Sequence, residues 1–189
     1  MRVKYNTRGI VLARTHVGEA TTLVTVLTPD LGLVQARAQS LRKPGAKLAH
    51  ALTTFAESEL VLVRGKDGWR VAGAVLGENW FVKLGEADAR ARAGRVSGLL
   101  LRLVAGEAPD AKLYPIINSF FEALATLPAD AHEAVEVLAA LRVLAALGLD
   151  SGDIPSDTTL FALPLLDTVF AERSRYISRI NTGIAASGL

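Results

Sequence analysis

The hydrophobic period of this chain changes once, near residue 80, and that change limits the chain to two joined kinds of structure. Before it, apolar residues tend to alternate with polar ones, as a half-buried strand requires. After it they recur every three to four positions, as one face of a helix requires. Five strand-like runs precede the change: Arg8–Arg14, Thr21–Thr28, Leu33–Gln39, Ala56–Val63 and Trp69–Leu76. The second, TTLVTVLT, is dense in residues that suit a pleated surface. Pro29-Asp30-Leu31-Gly32 and Gly65-Lys66-Asp67-Gly68 supply turn chemistry between runs. In the third run Val34, Ala36 and Ala38 face one side, and Gln35, Arg37 and Gln39 the other. Five short strands at hairpin spacing point to a small closed barrel of OB type, although an SH3-like barrel or a split sandwich leaves a similar trace.

Helical periodicity then covers Ala87–Ala105, Ala111–Leu127 and Ala131–Leu147, with Asp130 as the expected N-cap of the third helix and Gly148 as its stop. The third is apolar almost all round and should be central. A segment Thr159–Phe170 containing Pro164, and a last helix Glu172–Ala186, complete the pattern. The expected fold class is therefore α+β, with an N-terminal five-stranded OB-fold β-barrel over residues 1–80 and an all-α helical domain over residues 81–189.

Charge is divided as unevenly as periodicity. The whole chain carries a formal +2. Residues 1–50 hold eight basic residues against Glu19 and Asp30, a local excess of +6. An acidic partner for the barrel follows from that asymmetry, with ordinary surface charge as the alternative. The densest stretch is Ser40–Leu48, where Arg42, Lys43 and Lys47 fall in a loop that Pro44 and Gly45 keep irregular. Such a loop can lay cations along a phosphate backbone, with affinity that falls steeply with salt. Arg37 extends the same track from the third strand. Tyr5, Phe55, Trp69, Trp80 and Phe81 are the aromatic candidates for base stacking. Phe55 and Trp69 begin strands in apolar contexts and are expected in the core.

Catalysis has no residues to stand on. His16, His50 and His132 are isolated, no nucleophile elbow or phosphate-binding glycine loop occurs, and Glu57 and Glu59 read as solvated strand carboxylates. The chain is expected not to be an enzyme and to need no cofactor. It has no cysteine, so no disulfide or cysteine zinc site is expected. The N-terminus lacks the apolar core of a secretory signal, and no charge-free stretch approaches the roughly 18 residues of a membrane span, so a cytoplasmic location is expected.

Several segments together resemble the RecO family of bacterial recombination mediators. They are TRGIVLART (Thr7–Thr15), GEATTLVTVLTPDLGLVQARAQSLRK (Gly18–Lys43), the Leu48–Glu59 stretch and GWRVAGAVL. In the second half they are LLLRLVAGEAPDAKLYPIINSFFEAL, VLAALRVLAALGL and the closing RYISRINTGIAASGL. The resemblance implies an OB fold followed by helices. It implies binding to single-stranded and double-stranded DNA, annealing of complementary strands and help in recombinase loading. The implied partners are RecR and the acidic tail of single-strand-binding protein. Arg37, Arg42, Lys43 and Lys47 fall where that family is basic, and Arg8 and Arg14 lie on the matching first strand. Arg142 and Arg102 are the candidates for the tail pocket. Relatives often carry four cysteines after the third helix; DSGDIPSD stands there instead, so no metal is expected. The alternatives are a protein-interaction adaptor and an RNA-binding accessory protein.

Overall fold

Alternating burial builds the first half of the molecule. The computed structural model describes residues 3–17, 19–39, 48–104, 106–156 and 159–188. Its strands are β1 (Val3–His16), β2 (Thr21–Thr28), β3 (Gly32–Gln39), β4 (Ala56–Gly65) and β5 (Gly68–Asn79). They close into a barrel in the order β1-β2-β3-β5-β4. Neighbours are antiparallel except β3 and β5, which run parallel.

β2 has the bounds its sequence pattern predicts, and β3 begins one residue earlier than expected. β1 is much longer than the expected Arg8–Arg14 because it serves two partners in succession. Val3 to Ile10 pair with β4, and Ile10 to His16 pair with β2 across a bulge between Val11 and Ala13. Lys4, Asn6 and Arg8 point outward from its first half, so that half has no apolar run to betray it. Inside the barrel, Val11, Val24, Val26, Val34, Ala36, Leu60, Leu62 and Trp69 form one apolar cluster. Phe55 and Trp69, expected in the core, are both buried.

Two contacts fix the barrel unit beyond its strands. Gly32 opens β3 with φ +66°, and a Cβ there would stand 2.0 Å from the Ala108 carbonyl oxygen and 2.5 Å from the Asp110 nitrogen. The tight approach lets Leu33 and Ala108 exchange main-chain hydrogen bonds of 2.8 and 3.1 Å. Gly106–Tyr114 therefore belongs to the same compact unit as Met1–Lys83. Glu57 is the second contact. Its carboxylate accepts from Trp80 Nε1 at 3.0 Å and from the Tyr114 hydroxyl at 2.6 Å. A solvated carboxylate was expected at this position; both oxygens are engaged instead, because the residues that follow β5 come back over the strand. Trp80 opens the four-residue helix α1 (Trp80–Lys83).

The other unit comprises Leu84–Ala105 and Pro115–Leu189. Its helices are α2 (Ala87–Leu103), α3 (Leu113–Thr126, in this unit from Pro115), α4 (His132–Ala146), α5 (Leu163–Ala171) and α6 (Arg173–Ala186). α4 is buried along most of its length and touches α2, α5 and α6, the central place its apolar sequence requires. Asp130 does not cap it. Asp130 lies in a 3-10 turn, Ala129–Ala131, and Ala131 takes the cap position without a side-chain hydrogen bond. Gly148 ends the helix region at φ +72°, as a left-handed C-terminal residue does. α5 starts at Leu163, not Thr159, because Pro164 belongs in a first turn and the upstream carbonyls of Thr159 and Leu160 are bonded to Arg142.

Replacing Gly32 by alanine forces a side chain into both a left-handed backbone and the Ala108 carbonyl. The Gly32→Ala variant is expected to lose about 2–3 kcal/mol or more of stability in urea denaturation, whereas Gly94→Ala, with open space around its Cβ position, should not lose stability.

Candidate nucleic-acid interface

β3 carries out the two-faced design of its sequence. Val34, Ala36 and Ala38 are buried, while Arg37 and Gln39 are exposed. What lies beside Arg37 comes from closure of the barrel. In the parallel seam Ala36 is the partner of Trp69, and Arg37 is the partner of Arg70. Arg70 in turn opposes Val63 on β4, and Val63 opposes Lys4 on β1. Partners in a ladder project to the same face. One lateral row on the outside of the barrel therefore reads Arg37, Arg70, Val63, Lys4, with the three cations exposed.

A cleft of about 530 Å³ opens along this row. Its walls include Arg37, Gln39, Lys66, Trp69 and Arg70. Lys66 comes from the tight turn between β4 and β5. Arg37 donates from Nη1 to the Asp67 carbonyl oxygen in that turn. Among the described residues, no carboxylate lies within ion-pair distance of Lys4, Arg37, Lys66 or Arg70. Trp69 is 5 % exposed and its indole N–H has no hydrogen-bond partner. Its ring is met edge-on by Tyr5 at 5.1 Å and covered by the Arg64 guanidinium at 5.0 Å.

The expected site residues distribute unevenly over this geometry. Arg37 is central to the row. Arg42, Lys43 and Lys47 lie outside the described residues. Arg8 shares the outward face of β1 with Lys4 but lies four residues along it: it opposes Glu59, and its guanidinium sits 5.7 Å from the Tyr114 ring centre. Burial first, and then the hydrogen bond to Glu57, hold the Tyr114 phenol above its usual pKa, with Arg8 pulling the other way. Arg14 lies beyond the bulge, opposite the core residue Val24, half-buried and with its Nε unpaired. The bulge thus separates two arginines that share a strand. Lys4, Lys66 and Arg70 were missed by sequence reasoning. Alternation along Trp69–Leu76 places Arg70 outward, but nothing in the sequence brings β5 alongside β3.

A second concavity, about 810 Å³, lies within the helical unit and is walled by α2, α4 and α6. Val96, Leu99, Val137, Ile177, Ile180 and Ile184 line it, with arginines beside them. Glu136 occupies two of these: it accepts from Arg92 at 2.7 Å and from Arg95 at 2.6 and 2.8 Å. Arg102 is exposed at the groove and has no carboxylate partner among the described residues. Arg142 is not part of the groove lining. It is 5 % exposed, donates to the Thr159 and Leu160 carbonyls at 3.0 Å each, and lies 4.6 Å from the Phe161 ring centre. Burial lowers its pKa to about 10 and leaves it charged at neutral pH. Its head is committed to holding the 159–161 segment.

Residues 1–72 match the family model described as "Recombination protein O N terminal". A protein of Dehalococcoides mccartyi named DNA repair protein RecO is 47 % identical over 62 residues, 33 % of this chain and 24 % of the relative. Proteins of the same name from Heliobacterium modesticaldum and Gloeothece citriformis are 31 % identical over 147 residues and 29 % over 118. Those two matches take in 76 % and 62 % of this chain, and 51 % and 42 % of the relatives. The chain thus spans about a quarter to a half of the length of the curated relatives it matches. Residues 1–72 are thus similar to the N-terminal domain of RecO proteins.

Proposed function

We propose that this chain is a DNA repair and recombination mediator, whose barrel is of OB type and holds the backbone of single-stranded and double-stranded DNA. The observation that carries the reading is the outward row of Arg37, Arg70 and Lys4, joined by Lys66; Asp67 also lines the cleft, and no carboxylate among the described residues comes within ion-pair distance of these cations. A uniform cationic strip attracts any phosphate backbone and releases its condensed counterions, whatever the sequence. Arg42, Lys43 and Lys47 add to the same charge from the segment that follows Gln39. Annealing follows from neutralising two strands while their bases stay free to pair. No chemical step is needed, and the reading assigns no catalytic residue, metal or cofactor. A cytoplasmic place goes with it; among the described residues no helix is long and apolar enough to cross a membrane.

Recombinase loading with RecR and single-strand-binding protein is the wider role proposed. For the acidic tail of the latter, the groove between α2, α4 and α6 is the fitting surface. It offers apolar walls for side chains and Arg102 for a carboxylate. Arg142, bonded to carbonyls, leaves this role to Arg102.

Fluorescence anisotropy with a labelled single-stranded oligonucleotide over a salt series tests the main reading. Binding is expected at low salt and should weaken linearly in log affinity against log salt. Replacing Arg42, Lys43 and Lys47 together by glutamine should cost about tenfold or more. Absence of binding at low salt would sink the proposal, and preference for a matched RNA strand would turn it toward an RNA-binding accessory role. A salt-insensitive protein partner with no DNA affinity would favour an adaptor.

The groove is tested separately with an acidic peptide ending in a hydrophobic residue and a free carboxylate. Arg102→Ala should weaken that peptide about tenfold, the loss of one charge-assisted hydrogen bond, and leave DNA affinity unchanged. Equal peptide binding by the variant and the parent would remove Arg102 from the site.

A further inference from the structure

Arg37 and Arg70 stand directly opposite each other on neighbouring strands, where backbones are about 4.8 Å apart. Like charges in that position repel and destabilise a sheet. Nothing among the described residues relieves the repulsion by an ion pair. Lys66 brings a third cation to the same cleft. Arg37 is steadied by the Asp67 carbonyl through one nitrogen only, which leaves its other donors available. Behind Arg70, on the inward face of β5, lies Trp69, whose ring is buried in the barrel core at the edge of the cleft.

One ligand class answers the repulsion. An oxyanion between the two guanidinium groups turns their repulsion into shared attraction through charge-assisted hydrogen bonds. We propose that the β3–β5 seam is a discrete phosphate clamp, in which Arg37, Arg70 and Lys66 together grip a single phosphodiester of a bound DNA strand on the outer face of the sheet, over the strand that carries Trp69. The inference rests on the DNA-binding reading above and deepens it. Binding by the barrel is then not a smear of independent contacts. It has one registered point, where two arginines act on the same phosphate.

Shared grip has a signature that diffuse attraction lacks. If Arg37 and Arg70 hold one phosphate, losing either disables the clamp, and losing both adds little. If each serves its own phosphate, the losses multiply. The full chain, with Arg37→Gln, Arg70→Gln and the double variant, is titrated with a short labelled oligothymidylate across a salt series. Each single change should lower affinity about tenfold. The double variant should cost about the same, and its log–log salt slope should fall by about one. A double variant weaker by the product, about a hundredfold, with a slope lower by about two, would overturn the clamp and leave DNA binding standing. No binding by the parent chain would sink the underlying reading instead.

A second measurement does not depend on the arginine variants. Tryptophan emission of the parent chain should change saturably with oligothymidylate, and the Trp69→Phe variant should lose that change while still binding DNA. Retention of the full change without Trp69 would overturn the clamp. So would a saturable response to inorganic phosphate at constant ionic strength with none to oligothymidylate, which would assign the cleft to a free anion.

Discussion

The barrel closes through two residue pairs. Ala36 meets Trp69 and Arg37 meets Arg70 in the parallel seam between β3 and β5. Every other junction of the barrel is a longer antiparallel ladder. This short seam settles both faces of the wall at once. Its inward pair puts the largest side chain of the barrel cluster against the small Ala36, where an indole has room. Its outward pair puts two guanidinium groups side by side. Because successive residues on a strand alternate faces, the packing of Trp69 in the core obliges Arg70 to sit outside. A one-residue slip would bury Arg70 and expose Trp69, so the register is held by the core and the charge row inherits it.

Other parts of the barrel unit serve the same end by locking the strands that flank the seam. The approach of Gly32 to Ala108 anchors the start of β3. Glu57 ties β4 to Trp80 and Tyr114 with charge-assisted hydrogen bonds, which are stronger than neutral ones. Glu57 and Glu59 stand with Arg8 and Tyr114, not with Arg37 and Arg70, while Asp67 lines the cleft beside Arg37. Charge on this barrel is therefore sorted by register, strand by strand.

How much of this is legible from the sequence depends on the range of the cause. β2 is legible to the residue because its Thr, Val and Leu run ends at Pro29, and both signals are local. The two faces of β3 are legible because alternation is local too. β1 is not, since Val3–Thr7 becomes a strand only by pairing with β4, and its outward Lys4 and Asn6 break the apolar pattern. Arg14 looks equivalent to Arg8 in sequence; one extra residue at the Val11–Ala13 bulge sends them to different faces. Arg70 looks like a strand polar residue until closure brings it beside Arg37. Asp130 has the chemistry of a cap but sits in a 3-10 turn one residue too early. In each miss, a long-range or geometric constraint overrode a sound local rule.

Arginine illustrates why composition alone misleads about sites. Arg142 sits in the most apolar helix and invites a functional reading, yet its donors are consumed by two carbonyls. Arg92 and Arg95 lie at the helical groove, yet share the carboxylate of Glu136. Arg179 is held by Asp150. A guanidinium whose donors are already satisfied gains little from a ligand, because a new bond must replace an old one. Arg37, Arg70 and Arg102 differ in that no carboxylate among the described residues lies within ion-pair distance of them, and Arg37 and Arg70 stand opposite each other across the seam. The free energy that a ligand can recover is set by what the folded chain leaves uncompensated. By that measure the β3–β5 seam is, among the described residues of the barrel, a place where an anion finds uncompensated charge, and the number of arginines elsewhere is beside the point.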